Sequence, residues 1–284
     1  MNPLLNSLLK KKQHTKTSVI RKIIISIEII LVITLVWSCV EPFLIQIKKS
    51  EVLSNDVPKD FDGYKIVFVS DIHCDFFNGK SRISKLVQKI NDQNPNIILL
   101  GGDYGKTVNY VSQCFKYLNG LKATDGKYGV LGNHDVWASS SLSEKYMTSA
   151  QISSLNNRSK WIYRNGSRIK LGGVGDLWSQ DPDLKPTTLD TIEKDFVILV
   201  SHNPDYINQI NSNNIDLMLS GHTHGGQITF FGLTDSNVQK FRNDQTMFGK
   251  TRVIVSNGIG SFFAFPLRFF ARPQINVITL KHED

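Results

Sequence analysis

Thiol chemistry is scarce in this sequence. Its 284 residues hold three cysteines, Cys39, Cys74 and Cys114. The odd count, the wide spacing and the absence of any C-x-x-C pair exclude a disulfide scaffold or a zinc knuckle as the organising element. There is no G-x-S-x-G elbow, so a serine hydrolase has no nucleophile. Asn78-Gly79-Lys80-Ser81 ends like a phosphate-binding loop, but the glycine required five positions before Gly79 is Cys74. Internal repeats and low-complexity tracts are missing. Acidic residues are absent from the first 22 positions, which carry Lys10, Lys11, Lys12, Lys16, Arg21 and Lys22. This tail supplies most of the formal net charge of +8. A basic tail beside an apolar run reads as membrane topology, and no nucleic-acid partner is expected. With 40% hydrophobic and 20% charged residues, the remainder has the composition of a globular protein.

A long hydrophobic run comes directly after the tail. Residues 23–40 contain one charge, Glu28. A spanning helix needs about 20 apolar residues; Val19 and Ile20 lengthen the run, because Arg21 and Lys22 can reach the headgroups. Trp37 sits near the far end, where interfacial aromatics belong. The expected organisation is a basic cytoplasmic tail (1–22), a transmembrane anchor (23–40), a polar linker (41–63) and one catalytic domain (64–284). The positive-inside bias puts the N-terminus in the cytoplasm and the domain on the outer side of the cell membrane. Three other readings of the run stay open, the weakest a lipoprotein signal at Val36-Trp37-Ser38-Cys39, where the bulky Trp37 stands in place of a small residue. A cleaved signal peptide fits less well, since the run is long and lacks an A-x-A site; a buried core helix would account for Glu28.

From Tyr64 the pattern becomes that of a packed domain. Short apolar runs at 65–70, 97–100, 128–131, 196–201, 217–220, 227–231, 252–256 and 275–280 predict strands. Ile83, Leu86, Val87 and Ile90 predict a helix over 82–93, and Val108, Val111, Phe115 and Leu118 a second one. Residues 142–155 are compatible with a helix. Asn165-Gly166, between 161–163 and 168–174, predicts a hairpin turn. Helices alternating with strands early, then mostly strands, predict an α/β sandwich with a mixed sheet.

Five polar clusters each come after an apolar strand: Asp71-Ile72-His73, Gly102-Asp103, Gly132-Asn133-His134-Asp135, Ser201-His202-Asn203-Pro204 and Gly221-His222-Thr223-His224. In α/β sheets ligands gather outside the carboxyl ends of strands, so clusters far apart in sequence can converge there. Carboxylate, amide and imidazole donors without thiolate suit Mn²⁺, Fe, Zn²⁺ or Co²⁺ better than an all-oxygen calcium cage. Glycines before Asp103, Asn133 and His222 allow tight turns and close backbone approach.

Taken in order, D-x-H, G-D, G-N-H-D, H and G-H-x-H resemble the calcineurin-like metallophosphoesterase superfamily, from about Lys65 to the C-terminus. The G-H-T-H-G-G-Q variant and the segment 256–272, with its Pro-Leu-Arg, resemble a membrane-anchored bacterial branch that includes a UDP-2,3-diacylglucosamine pyrophosphatase of lipid A synthesis. The resemblance implies a four-layer α/β/β/α sandwich and two divalent cations, with Mn²⁺ the favoured pair. It implies that Asp71, His73 and His224 hold one metal, that Asn133, His202 and His222 hold the other, and that Asp103 bridges them. His134 would stand over the phosphate as a catalytic acid or charge stabiliser, oriented by Asp135. The implied reaction is hydrolysis of a phosphoester or phosphoanhydride by in-line attack of a water activated between the two cations. Phe262, Phe263, Phe265, Phe269 and Phe270, flanked by Arg268 and Arg272, are either ordinary core or an apolar lip with cationic flanks. Trp137 and Trp178 join the same wall. With the anchor, such a lip favours a lipid-linked phosphate substrate at the bilayer over a phosphorylated small molecule.

Overall fold

The computed structural model describes residues 3–210, 214–229, 246–261 and 265–284. In chain order it runs α1 (Pro3–Val40), β1 (Gln46–Ser54), β2 (Lys65–Val69), α2 (Lys80–Asn91), β3 (Ile97–Leu100), α3 (Val108–Leu118), β4 (Lys127–Gly129), α4 (Asn133–Ser149), β5 (Ser153–Ser154), β6 (Arg158–Arg164), β7 (Ser167–Gly173), α5 (Lys185–Thr188), β8 (Val197–Val200), β9 (Leu217–Ser220), β10 (Thr246–Phe248), β11 (Thr251–Val255) and β12 (Gln274–His282).

The strands form two six-stranded mixed sheets, ordered β1-β12-β2-β3-β4-β5 and β10-β11-β9-β8-β7-β6. Strand periodicity assigns their side chains to separate cores. On β2, Ile66 and Phe68 point between the sheets, where they meet Leu171, Ile198, Leu219 and Ile254. Val67 and Val69 point the other way, onto Ile83, Leu86 and Ile90 of α2 and Val111 and Phe115 of α3. The outer face of the second sheet buries Val197, Leu199, Met218 and Val253 under Tyr206 and Ile207. These last two belong to a 3-10 helix over Pro204–Gln209, so the outer layer on that side consists of short helical turns. Strands buried on both faces, such as β3, β8 and β9, read as unbroken apolar runs. The β6–β7 hairpin turns at Asn165 (φ 48°) and Gly166 (φ 94°), both left-handed as a two-residue turn of this kind requires.

Three expectations change. Residues 41–63 are not simply a linker: β1 lies within them and pairs in parallel with β12 from Gln46↔Gln274 to Ser54↔His282. As an edge strand it keeps polar residues outward, which in sequence resembles a linker. Helix α4 starts at Asn133 and bends at Ser139, well before the predicted start. The strand predicted over 227–231 is replaced at Gln227–Thr229 by a tight turn with a single bridge from Ile228 to Phe269; its remaining residues lie outside the described ones. Gly225, Gly226 and Gln227 all adopt positive φ, which breaks strand continuation.

Among the described residues, one helix is long and apolar enough to cross a membrane. Within its span, Lys16–Phe43, an 18-residue stretch has a mean hydropathy of 2.6. Side chains from Ile23 to Val36 are exposed, apart from a half-buried Thr34. At 1.5 Å per residue this length exceeds the roughly 30 Å hydrocarbon core of a bilayer. Only its C-terminal turn changes character: Ser38 and Glu41 are buried against the domain.

Candidate metal centre

The predicted ligands stand directly after strand ends on one edge of the sandwich, β2, β3 and β4 supplying one side and β8 and β9 the other. Asp71, His73, Asp103, His222 and His224 all adopt left-handed backbone, with φ of 52°, 43°, 57°, 67° and 51°. For residues with a Cβ this conformation costs on the order of 1–2 kcal/mol each. Cross-loop hydrogen bonds enforce it: Asp71 N donates to Gly102 O (2.9 Å), His73 N to Asp103 O (2.9 Å) and Gly221 N to His202 O (3.0 Å). Gly221 has no substitute, since any Cβ there would collide with Ser70 and the Asp71 carboxylate; one on Gly132 would collide with Asp103.

The side chains converge. His73 Nε2 lies 3.1 Å from His224 Nε2 and 3.4 Å from Asp103 Oδ2. His202 Nε2 lies 3.4 Å from Asp103 Oδ2 and 3.2 Å from His222 Nδ1. His224 Nε2 is 3.5 Å from Asp71 Oδ1. Asp71, His73 and His224 form one potential metal group, and Asp71, Asp103 and His202 another, each with ligand atoms within 4.8 Å of one another. A third such group joins His73, Asp103 and His134, and Asp103 Oδ2 lies 3.4 Å from both His73 Nε2 and His202 Nε2. Asn133 is buried at the first turn of α4, and its Oδ1 has no hydrogen-bond partner among the described residues. A buried unpaired carbonyl oxygen costs about 1–3 kcal/mol, and an oxygen ligand to a cation relieves that cost. Two carboxylates, four imidazoles and this amide fit a pair of divalent cations.

Electrostatics agree with the fit. Burial, then neighbouring positive charge, holds His73 and His222 down to about 3 and His224 well below the usual imidazole range, so all three stay neutral and keep a lone pair. Burial also opposes the charges of Asp103 and His202, but their mutual attraction wins. Asp103 falls well below the carboxylate range and His202 rises to about 10. Without a cation, a proton on His202 thus takes the place that positive charge must fill. His202 Nδ1 faces Gly101 O at 2.7 Å, which fixes the ring and leaves Nε2 aimed at Asp103.

His134 is half-buried, edge-on to His73 at 5.0 Å between ring centroids and to Trp137 at 5.0 Å. Its backbone N donates to Asp103 Oδ1 at 3.0 Å. The expectation that Asp135 orients its imidazole does not hold. Both Asp135 oxygens accept backbone amides: Asp103 N (2.7 Å) and Gly132 N (2.9 Å) on Oδ2, and Tyr104 N (2.8 Å) on Oδ1. As the third residue of α4 it faces back onto the loops that carry the ligands, so it holds the Asp103 loop in place.

The aromatic lip also needs correction. Phe262 and Phe263 lie outside the described residues. Phe265 and Phe270 are about half exposed, and Trp137 and Trp178 are each 63% exposed, Trp178 edge-on to His222 at 4.3 Å. Arg268, expected as a cationic flank, is fully buried. Its guanidinium donates to the carbonyls of Gly260, Ala271 and His224. Sequence reasoning missed this role because its partner His224 lies on another element, with no local signal linking the two. Cys74 is buried and packs, as expected.

A family model described as calcineurin-like phosphoesterase matches residues 64–226. The uncharacterized metallophosphoesterase YkuE of Bacillus subtilis is 31% identical over 257 residues, 85% of this chain and 87% of that protein. Phosphodiesterase YaeI of Escherichia coli is 30% identical over 227 residues, 76% and 82% of the two chains. A "transmembrane protein with metallophosphoesterase domain" of Danio rerio is 27% identical over 251 residues, 81% of this chain and 56% of that longer protein. The matched span holds every strand-end cluster in the crevice, and the bacterial relatives carry the match over most of the sequence; the chain therefore belongs to the calcineurin-like phosphoesterase family and is a phosphoric-ester hydrolase.

Proposed function

We propose that the protein is a membrane-anchored, two-cation phosphoesterase that hydrolyses an amphiphilic, lipid-linked phosphate at the bilayer surface. The observation that carries the chemistry is the convergence of Asp71, His73, Asp103, His202, His222 and His224 beside the orphaned Asn133 oxygen. Asp71, His73 and His224 would hold one cation, Asn133, His202 and His222 the other, with Asp103 shared; Mn²⁺ fits this donor set, as do Fe, Zn²⁺ and Co²⁺. Such a pair supplies Lewis-acid charge to phosphoryl oxygens and lowers the pKa of water. The chain's own groups do the rest. His134 is kept neutral by burial in the free chain. A bound phosphate adds the negative charge that raises its pKa, so it can hold a proton toward the leaving oxygen. Its backbone tie to Asp103 keeps the ring in register with the shared carboxylate.

The substrate class rests on what surrounds the crevice. Phe43 lies just beyond α1, and a cleft of about 460 Å³ beside it is lined by Phe43, Ile45, Phe76 and Phe77 with Lys80 and Lys85. The loop from His73 leads into Phe76, which is 84% exposed. Apolar walls with flanking lysines suit an acyl or prenyl chain attached to a phosphate. Charge bias of the tail favours an extracytoplasmic domain, so the substrate would come from the outer leaflet. The finer candidate UDP-2,3-diacylglucosamine would instead require a cytoplasmic domain, and a reporter fused after Asp284 separates the two. The decisive assay uses the full chain in lipid nanodiscs with Mn²⁺, offered lipid phosphates, polyprenyl phosphates, UDP-2,3-diacylglucosamine and soluble nucleotides. Turnover of amphiphiles is expected; good turnover of soluble esters alone would leave a phosphoesterase merely parked at the membrane.

A further inference from the structure

The last turn of α1 leaves the bilayer and enters the domain. Ser38 O accepts from Arg268 N at 3.0 Å. Glu41 is 1% exposed, and its carboxylate accepts Ala271 N at 2.7 Å on Oε1, and Phe270 N at 3.1 Å and Trp37 Nε1 at 2.7 Å on Oε2. Arg82 donates to the carbonyls of both Pro42 and Ile259. The end of the anchor therefore grips two segments of the C-terminal part, 259–260 and 268–271.

Those same segments support one half of the metal centre. Gly260 N donates to Asp71 O at 2.7 Å and Ile259 N to the same carbonyl at 3.1 Å. A Cβ on Gly260 would collide with Ile72 and His73, so this backbone lies directly on the Asp71–His73 loop. The Arg268 guanidinium reaches from Gly260 O across to His224, with Nη1 3.4 Å from His224 O and Nη2 3.4 Å from His224 Nδ1. A fully buried guanidinium carries a large desolvation cost, tolerable only where its fork of donors is used. Here the fork ties together the loops that carry Asp71, His73 and His224. Of the other set, His202 is held through Gly101 O and Asn133 by the start of α4, and His222 N donates to the Asp71 carboxylate at 3.0 Å; none of the three touches Arg268 or Glu41 in the contacts above.

The geometry points to a positioning role for the anchor: Glu41 and Arg268 form a hydrogen-bonded strap from the end of the membrane helix to the Asp71–His73–His224 cation site, and set its affinity separately from that of the second site. The helix is then part of the metal centre as well as a tether. This rests on the two-cation reading above and names the residues that make the two sites unequal.

The test uses the full chain in nanodiscs, stripped of metal and titrated with Mn²⁺, reading stoichiometry and affinity by calorimetry and the spin-coupled Mn²⁺-pair signal by electron paramagnetic resonance. Wild type should bind two ions and show the coupled signal. Glu41→Ala and Arg268→Lys should weaken one site by about 10- to 100-fold, the range typical for loss of groups that support a ligand. At intermediate Mn²⁺ they should give the isolated-ion spectrum. Should either variant fail to fold, Glu41→Gln, which keeps one acceptor oxygen, should show a smaller loss at the same site. Two wild-type affinities and an intact coupled signal in the folded variants would overturn the proposal, as would equal weakening of both sites. A wild-type chain that binds no Mn²⁺ would instead remove the two-cation reading itself.

Discussion

Asp135→Ala separates a residue that acts on His134 from one that builds the loop beneath the metal ligands. The carboxylate takes three backbone amides, from Asp103, Tyr104 and Gly132, at 2.7–2.9 Å, and is fully buried. Truncation leaves three buried donors without an acceptor. A buried donor left unsatisfied costs about 1–3 kcal/mol, and water entering the vacated space recovers part of that. The net loss is roughly 3–6 kcal/mol. In a domain of this size about 1 kcal/mol moves Tm by 2–4 °C, so Tm should fall by roughly 6–24 °C. Because the freed amide belongs to Asp103, the carboxylate proposed to be shared by both cations, Mn²⁺ affinity should fall along with stability. Differential scanning calorimetry and Mn²⁺ titration on the same preparation give both numbers. A variant with wild-type Tm and Mn²⁺ affinity but reduced kcat would refute this reasoning and return Asp135 to the role of orienting His134.

Asn133→Ala removes the one amide donor, and turnover of an aryl phosphate with Mn²⁺ should drop at least about a hundredfold, a loss of roughly 2.7 kcal/mol of transition-state stabilisation; equal activity in wild type and variant would point to a metal-binding scaffold without turnover. His202 is raised to about 10 by its partner Asp103, so the metal-free site carries a proton at pH 7.5 that a cation must displace. Calorimetric titrations at that pH should therefore show heats that scale with buffer ionisation enthalpy, in the direction of proton release, and heats independent of buffer would contradict the Asp103–His202 pair. Phe76→Ser paired with Phe77→Ser should raise KM for an amphiphilic phosphate by about tenfold or more, consistent with about 1.5–3 kcal/mol per large apolar side chain buried, and leave KM for a soluble aryl phosphate unchanged; parallel changes for both would deny the cleft its role.

The candidate metal ligands were legible because each follows a short apolar run, and all but His202 have a glycine or an aspartate at the turn. Asp71 and His73, or His222 and His224, announce themselves within three residues, and the order of the clusters along the chain carries the rest. The groups that hold those ligands have no such pattern. Asp135 looked like a partner for its neighbour His134 and turned out to accept the backbone amides of Asp103, Tyr104 and Gly132 on the adjoining loops. Arg268 looked like an exposed flank among phenylalanines and is buried. Strand β1 was hidden because an edge strand needs only alternate apolar residues, and Lys48, Lys49 and Glu51 make that stretch read as polar linker.

Residue type and spacing by themselves determined the alternation of strands and helices, the apolar N-terminal span and the donor set, because hydrophobic period and turn chemistry act over a few residues. Tertiary structure alone decided how the donors are held. Glu41 meets Ala271 across 230 positions and His222 N meets the Asp71 carboxylate across 151. Contacts at such separations are selected by how the two sheets and the end of α1 pack, and no local preference of either partner encodes them.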